Sequence, residues 1–130
     1  MLHDRFVDAV HAADPQGMKD ALAEDITFWS PVSFKPYEGR ELVGTILTEG
    51  PLKIFQDFEY VHRIEDTEQR LATLIFKATV NGDRAVGGLD LLHFDEDGLI
   101  DELTVMLRPL SGLNAMAEAM GKRFEELGLA

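Results

Sequence analysis

The chain has no cysteine and a single tryptophan, and its 130 residues include 24 acidic but only 12 basic side chains. Without cysteine there is no disulfide, no zinc–thiolate centre and no thiol nucleophile. The formal charge of −12 repels polyphosphate at long range, which argues against a nucleic-acid partner and against an anionic membrane surface. No apolar run approaches the ~20 residues of a membrane span. Met1-Leu2-His3-Asp4-Arg5 is followed by no long apolar region, so no signal peptide is predicted and the expected address is the cytoplasm. His3, His11, His62 and His93 show none of the HxH, HxxxH or HExxH spacings, so no metal site is expected. The glycines form neither a GxGxxG nor a Walker pattern, and no serine sits in a GxSxG elbow; no cofactor is expected.

Hydrophobic residues make up 45% of the chain, enough for one core. No repeat and no Pro-, Gly- or Ser-rich linker divides it, so a single domain over residues 1–130 is predicted. Leu2, Phe6, Val7, Val10 and Ala13 recur at helical spacing, and Asp14-Pro15 ends that helix. Met18, Ala21 and Leu22 suggest a second short helix, and Ile26 to Trp29 a short strand broken by Ser30-Pro31. Segment 31–39 reads as irregular and Glu41 to Leu47 as a third helix closed by Gly50-Pro51.

The period then changes to two. Strands are predicted over Phe58–Ile64, Leu71–Val80, Ala85–Phe94 and Leu99–Leu107, with a hairpin turn at Asn81-Gly82. Leu113, Met116, Ala117, Met120, Phe124 and Leu127 make one stripe of a final helix, with Ser111 as its expected cap. Helices, then an antiparallel meander, then one more helix define an α+β pattern. The helices are too few to cover both faces, so the other sheet face is either exposed or paired with a second subunit.

Alternation places Val86, Gly88, Asp90, Leu92 and Phe94 on one face of the third meander strand, and Gly87, Leu89, Leu91 and His93 on the other. Both sets are mainly apolar, which predicts that both faces are covered. Asp90 is the anomaly, a carboxylate between Gly87-Gly88-Leu89 and Leu91-Leu92. It is either a structural acid paired with Arg63 or Arg84, or a pocket acid whose pKa is raised by desolvation. His93 and Asp90 face opposite sides, so they make no dyad. Leu103, Val105 and Leu107 share one face of the last strand, and Glu102, Thr104, Met106 and Arg108 the other. Arg108 is expected to pair with Asp101 or Glu102. The pair Gly87-Gly88 suggests a bulge that bends the sheet.

Arg5-Phe6-Val7, Phe28-Trp29-Ser30-Pro31-Val32, Tyr37-Glu38-Gly39-Arg40, Asp90 and the Phe94-Asp95-Glu96-Asp97-Gly98-Leu99-Ile100 hairpin follow one another in an order that resembles the NTF2-like superfamily, in its SnoaL-like and ketosteroid-isomerase-like branch. The resemblance covers nearly the whole chain and rests on order and spacing. It implies a cone-shaped, cystatin-like α+β barrel in which a curved antiparallel sheet and helices enclose one pocket, and a homodimer formed through the outer sheet face. Ketosteroid isomerases hold an oxyanion with a tyrosine and a protonated aspartate, and move the proton with an aspartate base. By the resemblance, Asp90 matches the protonated acid, Phe6 occupies the tyrosine position and Ser30 that of the base. Phenylalanine donates no hydrogen bond, and an unactivated serine is a poor base. That isomerase reaction is therefore expected to be absent or crippled. The epoxide-hydrolase-like branch places an aspartate where this chain has Val105.

The expected ligand contacts are Phe6, Phe28, Ser30, Tyr37, Asp90, Leu92 and Val105, with Asp90 as the catalytic acid. Phe28 shares strand parity with Ser30. Trp29, Phe34, Phe55, Phe58 and Phe76 serve the core first and a cavity second, and Met116 and Met120 make the last helix either a lid or a docked element. The leading reading is a small apolar organic ligand in a barrel pocket, with cofactor-free isomerase, cyclase or hydratase chemistry. The second is a non-catalytic module that senses a ligand or acts through its dimer surface.

Overall fold

Asp14-Pro15 punctuates the N-terminal half as the sequence dictates. The Asp14 carboxylate accepts a hydrogen bond of 3.0 Å from the Gly17 amide, and Pro15 takes the first helical position, where its missing N–H costs nothing. The computed structural model describes residues 1–128. Its elements are α1 (Asp4–His11), α2 (Pro15–Asp20), β1 (Leu22–Trp29), β2 (Tyr37–Glu38), α3 (Arg40–Glu49), α4 (Pro51–Ile54), β3 (Gln56–Asp66), β4 (Leu71–Val80), β5 (Arg84–Phe94), β6 (Ile100–Arg108) and α5 (Leu110–Glu126).

The six strands form one curved sheet in the order β2-β1-β6-β5-β4-β3, with helices at both ends of the chain. Strands β3 to β6 are the expected antiparallel meander, whereas β1 joins β6 in parallel. That pairing lengthens β1. Leu22 aligns with Ile100, and the Ile100 amide donates to the Ala21 carbonyl at 2.9 Å. Tertiary pairing thus draws Leu22–Asp25 into a strand despite its acidic residues, and the second helix ends at Asp20. The β4–β5 hairpin turns through residues 81–83, with Asn81 (φ 57°) and Gly82 (φ 78°) both left-handed, the conformation such turns demand.

Two expectations fail at glycine and serine. Gly87-Gly88 is not a bulge, since β5 pairs with β4 in unbroken register from Arg84 to His93. Gly88 instead makes room for the Phe76 ring, which a Cβ there would overlap. Ser111 does not cap α5. The helix starts one residue earlier behind Pro109, whose carbonyl accepts from the Leu113 amide at 2.9 Å.

The inner sheet face carries Ala72, Leu74, Phe76, Val86, Leu92, Phe94 and Leu103, all buried, with α5 packed on β4, β5 and β6. The outer face is not covered within the chain: Ile64 is 62% and Met106 58% exposed. Within the chain, therefore, only one face of β5 is covered. The N-terminus is tied to β3 by a polar cluster. The Glu65 carboxylate receives both the His3 backbone N–H (3.0 Å) and Nδ1 (2.8 Å), and Arg63 reaches His3 Nε2 (3.1 Å) and Asp4 (2.8 Å). Since Nε2 accepts from Arg63, the buried imidazole donates through Nδ1. Burial pushes the Glu65 pKa up, but the hydrogen bonds from Thr67 and His3 outweigh it and hold it at about 2. Met116 and Met120 are buried, and Arg123 reaches Glu49 at 2.6 Å, so α5 is a docked element.

No helix among the described residues is long and apolar enough to cross a membrane.

Candidate functional site

The inner sheet face and the helices leave a cavity of about 290 Å³ between them. Its walls are mainly apolar. Phe6 and Val10 enter from α1, Phe28 from β1, Leu47 from α3, and Met116 and Met120 from α5. The sheet supplies Phe58, Phe76, Leu103, Val105 and Leu107. Phe55, Phe58 and Phe76 form one aromatic cluster, with Phe58 and Phe76 stacked at 4.8 Å between ring centroids. Only four lining side chains are polar: His11, Ser30, Tyr60 and Asp90.

Asp90 is 8% exposed, and its side chain makes no hydrogen bond or ion pair with any described residue. Its unpaired carboxyl oxygens are not fully sealed from open space, and the side chain lines the cavity. Desolvation alone pushes its pKa up to about 7. Neither arginine offered by the sequence reaches it. In register, Arg63 stands beside Leu74 and Leu74 beside Asp90, which puts two strand spacings, about 10 Å, between the backbones of Arg63 and Asp90. The guanidinium of Arg63 goes instead to His3 and Asp4, and Arg84 is exposed at the hairpin.

Tyr60 lies on β3, in register with Phe76, which in turn aligns with Gly88. Burial and then the nearby Asp90 carboxylate push its phenol pKa up, against a smaller opposite pull from Arg63. Its hydroxyl therefore stays protonated and able to donate. His11, in the last turn of α1, is exposed at the cavity rim, with its ring edge-on to Tyr60 at 5.5 Å.

Of the expected ligand contacts, Phe6, Phe28, Ser30, Asp90 and Val105 meet around this one cavity. Tyr37 and Leu92 do not line it. Tyr37 stacks on Phe28 at 6.2 Å, and Leu92 is wholly buried in the core. Sequence reasoning missed Tyr60 and His11. The signal for His11 was present, one residue beyond Val10 on the same helix. Tyr60 was hidden by a shift in β3 pairing between Tyr60 and His62, which turns Tyr60 inward beside Phe76 while His62 aligns with the outward Ile75. Trp29 and Phe34 lie outside the cavity: the Trp29 indole donates to Glu102 at 3.1 Å, and Phe34 is 97% exposed. Arg108 makes no ion pair among the described residues, because it lies at the far end of β6 from Asp101 and Glu102, about 20 Å away along the extended strand. No group of three or more His, Asp or Glu among the described residues is placed to hold a metal ion.

A cavity of this kind, framed by a curved sheet with parallel β1 and by helices at both ends, defines a class of protein. The chain belongs to the SnoaL-like domain family, whose family model matches residues 3–103. The solved structures give the same fold. A steroid delta-isomerase from Pseudomonas aeruginosa is 36% identical, with a TM-score of 0.91 over 99% of this chain and 93% of that one. An uncharacterised bacterial protein with a cystatin-like fold from Silicibacter pomeroyi is 28% identical, with a TM-score of 0.88 over 95% of this chain and 85% of that one. An NTF2-like protein of unknown function from Burkholderia xenovorans, 18% identical, shares the fold with a TM-score of 0.69 over 87% and 88% of the two chains. No curated protein matches the chain.

Proposed function

We propose that this protein binds a small, mainly apolar organic molecule bearing one oxygen acceptor, and that it acts on it by proton transfer without a cofactor. One observation carries the reading: an unpaired, buried Asp90, poised to be protonated near neutrality, faces a cavity whose other walls are mostly hydrocarbon. Such a carboxylic acid can donate a hydrogen bond that strengthens as negative charge develops on the ligand oxygen. Tyr60 is the second donor. It supplies from β3 what Phe6 cannot supply from α1, so loss of the tyrosine at the Phe6 position does not leave Asp90 alone. The 36% identical relative named a steroid delta-isomerase supports chemistry of this class.

The test is a thermal-shift screen of bicyclic ketones, phenols and terpenoids, because binding to the native state raises its melting temperature by mass action. Hits are expected to lose affinity about 3- to 10-fold in Asp90→Leu, the scale of one neutral hydrogen bond. A set of hits indifferent to Asp90→Leu, or no hits at all, would overturn the reading.

A second reading rests on a different surface. We infer that two copies associate through the outer sheet face. Registered pairs run Ile64–Thr73–Leu91–Thr104–Trp29 across that face, and Ile64, Leu91, Met106 and Trp29 are exposed hydrophobics on it. Solvent-facing apolar groups on this scale favour a partner.

A further inference from the structure

The reading above provides an acid and a second donor but no proton acceptor, since Ser30 has no neighbouring base. We propose that His11 is the catalytic base of this cavity, exposed at its rim beside Tyr60. The proposal rests on the small-molecule reading and goes beyond it by assigning the group that takes the proton.

Elimination among the four histidines leads to this residue. Both ring nitrogens of His3 are engaged, one by Glu65 and the other by Arg63. His93 is paired with Asp101 on the outer face. His62 aligns with Ile75 and is exposed on that same outer face. His11 alone lines the cavity, and neither of its ring nitrogens has a hydrogen-bond or ion-pair partner among the described residues. An imidazole is also the side chain best suited to proton exchange near neutrality. The edge-on contact with Tyr60 at 5.5 Å positions the ring without consuming a nitrogen.

The step balances without any other reactant. A ligand ketone accepts hydrogen bonds at its oxygen from Asp90 and Tyr60. The bond between an α-carbon and its hydrogen breaks, and the proton goes to a free imidazole nitrogen of His11. The released electron pair forms a carbon–carbon double bond as the carbonyl π pair moves onto oxygen. Return of the proton to the same carbon gives exchange; return to a conjugated carbon gives isomerisation.

The probe is β-tetralone, a bicyclic ketone with an acidic benzylic methylene. Its α-deuteration in heavy water is followed by NMR, and its affinity by thermal shift. The wild-type protein is expected to accelerate exchange. His11→Gln and His11→Phe are expected to lower the saturated exchange rate at least about 10-fold, the lower part of the range for general-base catalysis being higher still. Probe affinity and melting temperature should hold within about twofold and a degree or so of wild type, since an exposed side chain carries little of the fold. His11→Phe keeps an aromatic edge against Tyr60, so a merely structural ring would leave its rate intact. Added imidazole is expected to restore part of the rate in His11→Ala. Exchange at the wild-type rate in His11→Phe or His11→Gln overturns the proposal. Binding of the probe without accelerated exchange by wild type also overturns it while the ligand reading stands. Failure of β-tetralone and of every other compound in the screen to bind at its solubility limit removes the ligand reading and this proposal together.

Discussion

At the scale of single residues, Asp90 makes stability and function share one proton. Burial raises its folded-state pKa to about 7 from the usual aspartate value of 3.8. The folded state therefore binds more protons than the unfolded chain between those two values. The stability that the protonated acid retains is fully present below about pH 4, declines as pH rises, and is gone above about pH 7. Relative to Asp90→Asn, which stays neutral, wild type is expected to lose roughly 2–3 kcal/mol between about pH 5 and about pH 8. Urea denaturation of both proteins at the two pH values measures this; a difference that does not change with pH would mean that Asp90 is ionised throughout in the fold. His3 is the counterexample within the same chain. Its buried imidazole has both nitrogens satisfied by Glu65 and Arg63, so burial there yields a fastening and not a reactive group.

At the scale of elements, the cavity depends on how two strands treat one aromatic ring. Phe76 on β4 lies across Gly88 on β5 and stacks on Phe58 of β3. Gly88→Ala would drive a Cβ into that ring, and the ring's free direction is the cavity. The variant is expected to be about 1–3 kcal/mol less stable, the usual cost of overpacking, and to bind β-tetralone more weakly. Wild-type stability together with wild-type affinity would show that the ring shifts elsewhere. Strand β3 shows where periodicity misleads. Uninterrupted alternation over Phe58–Ile64 would place Phe58, Tyr60, His62 and Ile64 on one face. The irregularity between Tyr60 and His62 splits them, sending Tyr60 to the cavity and Ile64 outward. A one-residue slip of this sort leaves no mark in composition, because it is decided by pairing with β4.

At the scale of the molecule, the formal charge of −12 and the apolar outer face pull in opposite directions. Two such chains repel each other, whereas burying Ile64, Leu91, Met106 and their neighbours draws them together. Salt screens the first effect and spares the second. Dimerisation is therefore expected to tighten as ionic strength rises, and Leu91→Glu with Met106→Glu is expected to give monomers. Sedimentation velocity at low and moderate salt reads both. A wild-type monomer at every concentration, or a dimer indifferent to the two glutamates, would place any association elsewhere.

The order of the main helices and strands, the faces of β5 and β6 and the oddity of Asp90 were all legible in the linear pattern, whereas the short β2 and α4 were not. Each legible feature follows from local rules: side-chain period, proline and glycine stops, and the cost of desolvating a carboxylate. Whether Asp90 had a cation beside it was not legible, since Arg63 is separated from it by a strand and held by the N-terminus. The recruitment of Leu22 into β1, the inward turn of Tyr60 and the placing of His11 over the same cavity share that origin. They are set by contacts between distant segments, and only closure of the sheet against its helices brings those segments within reach.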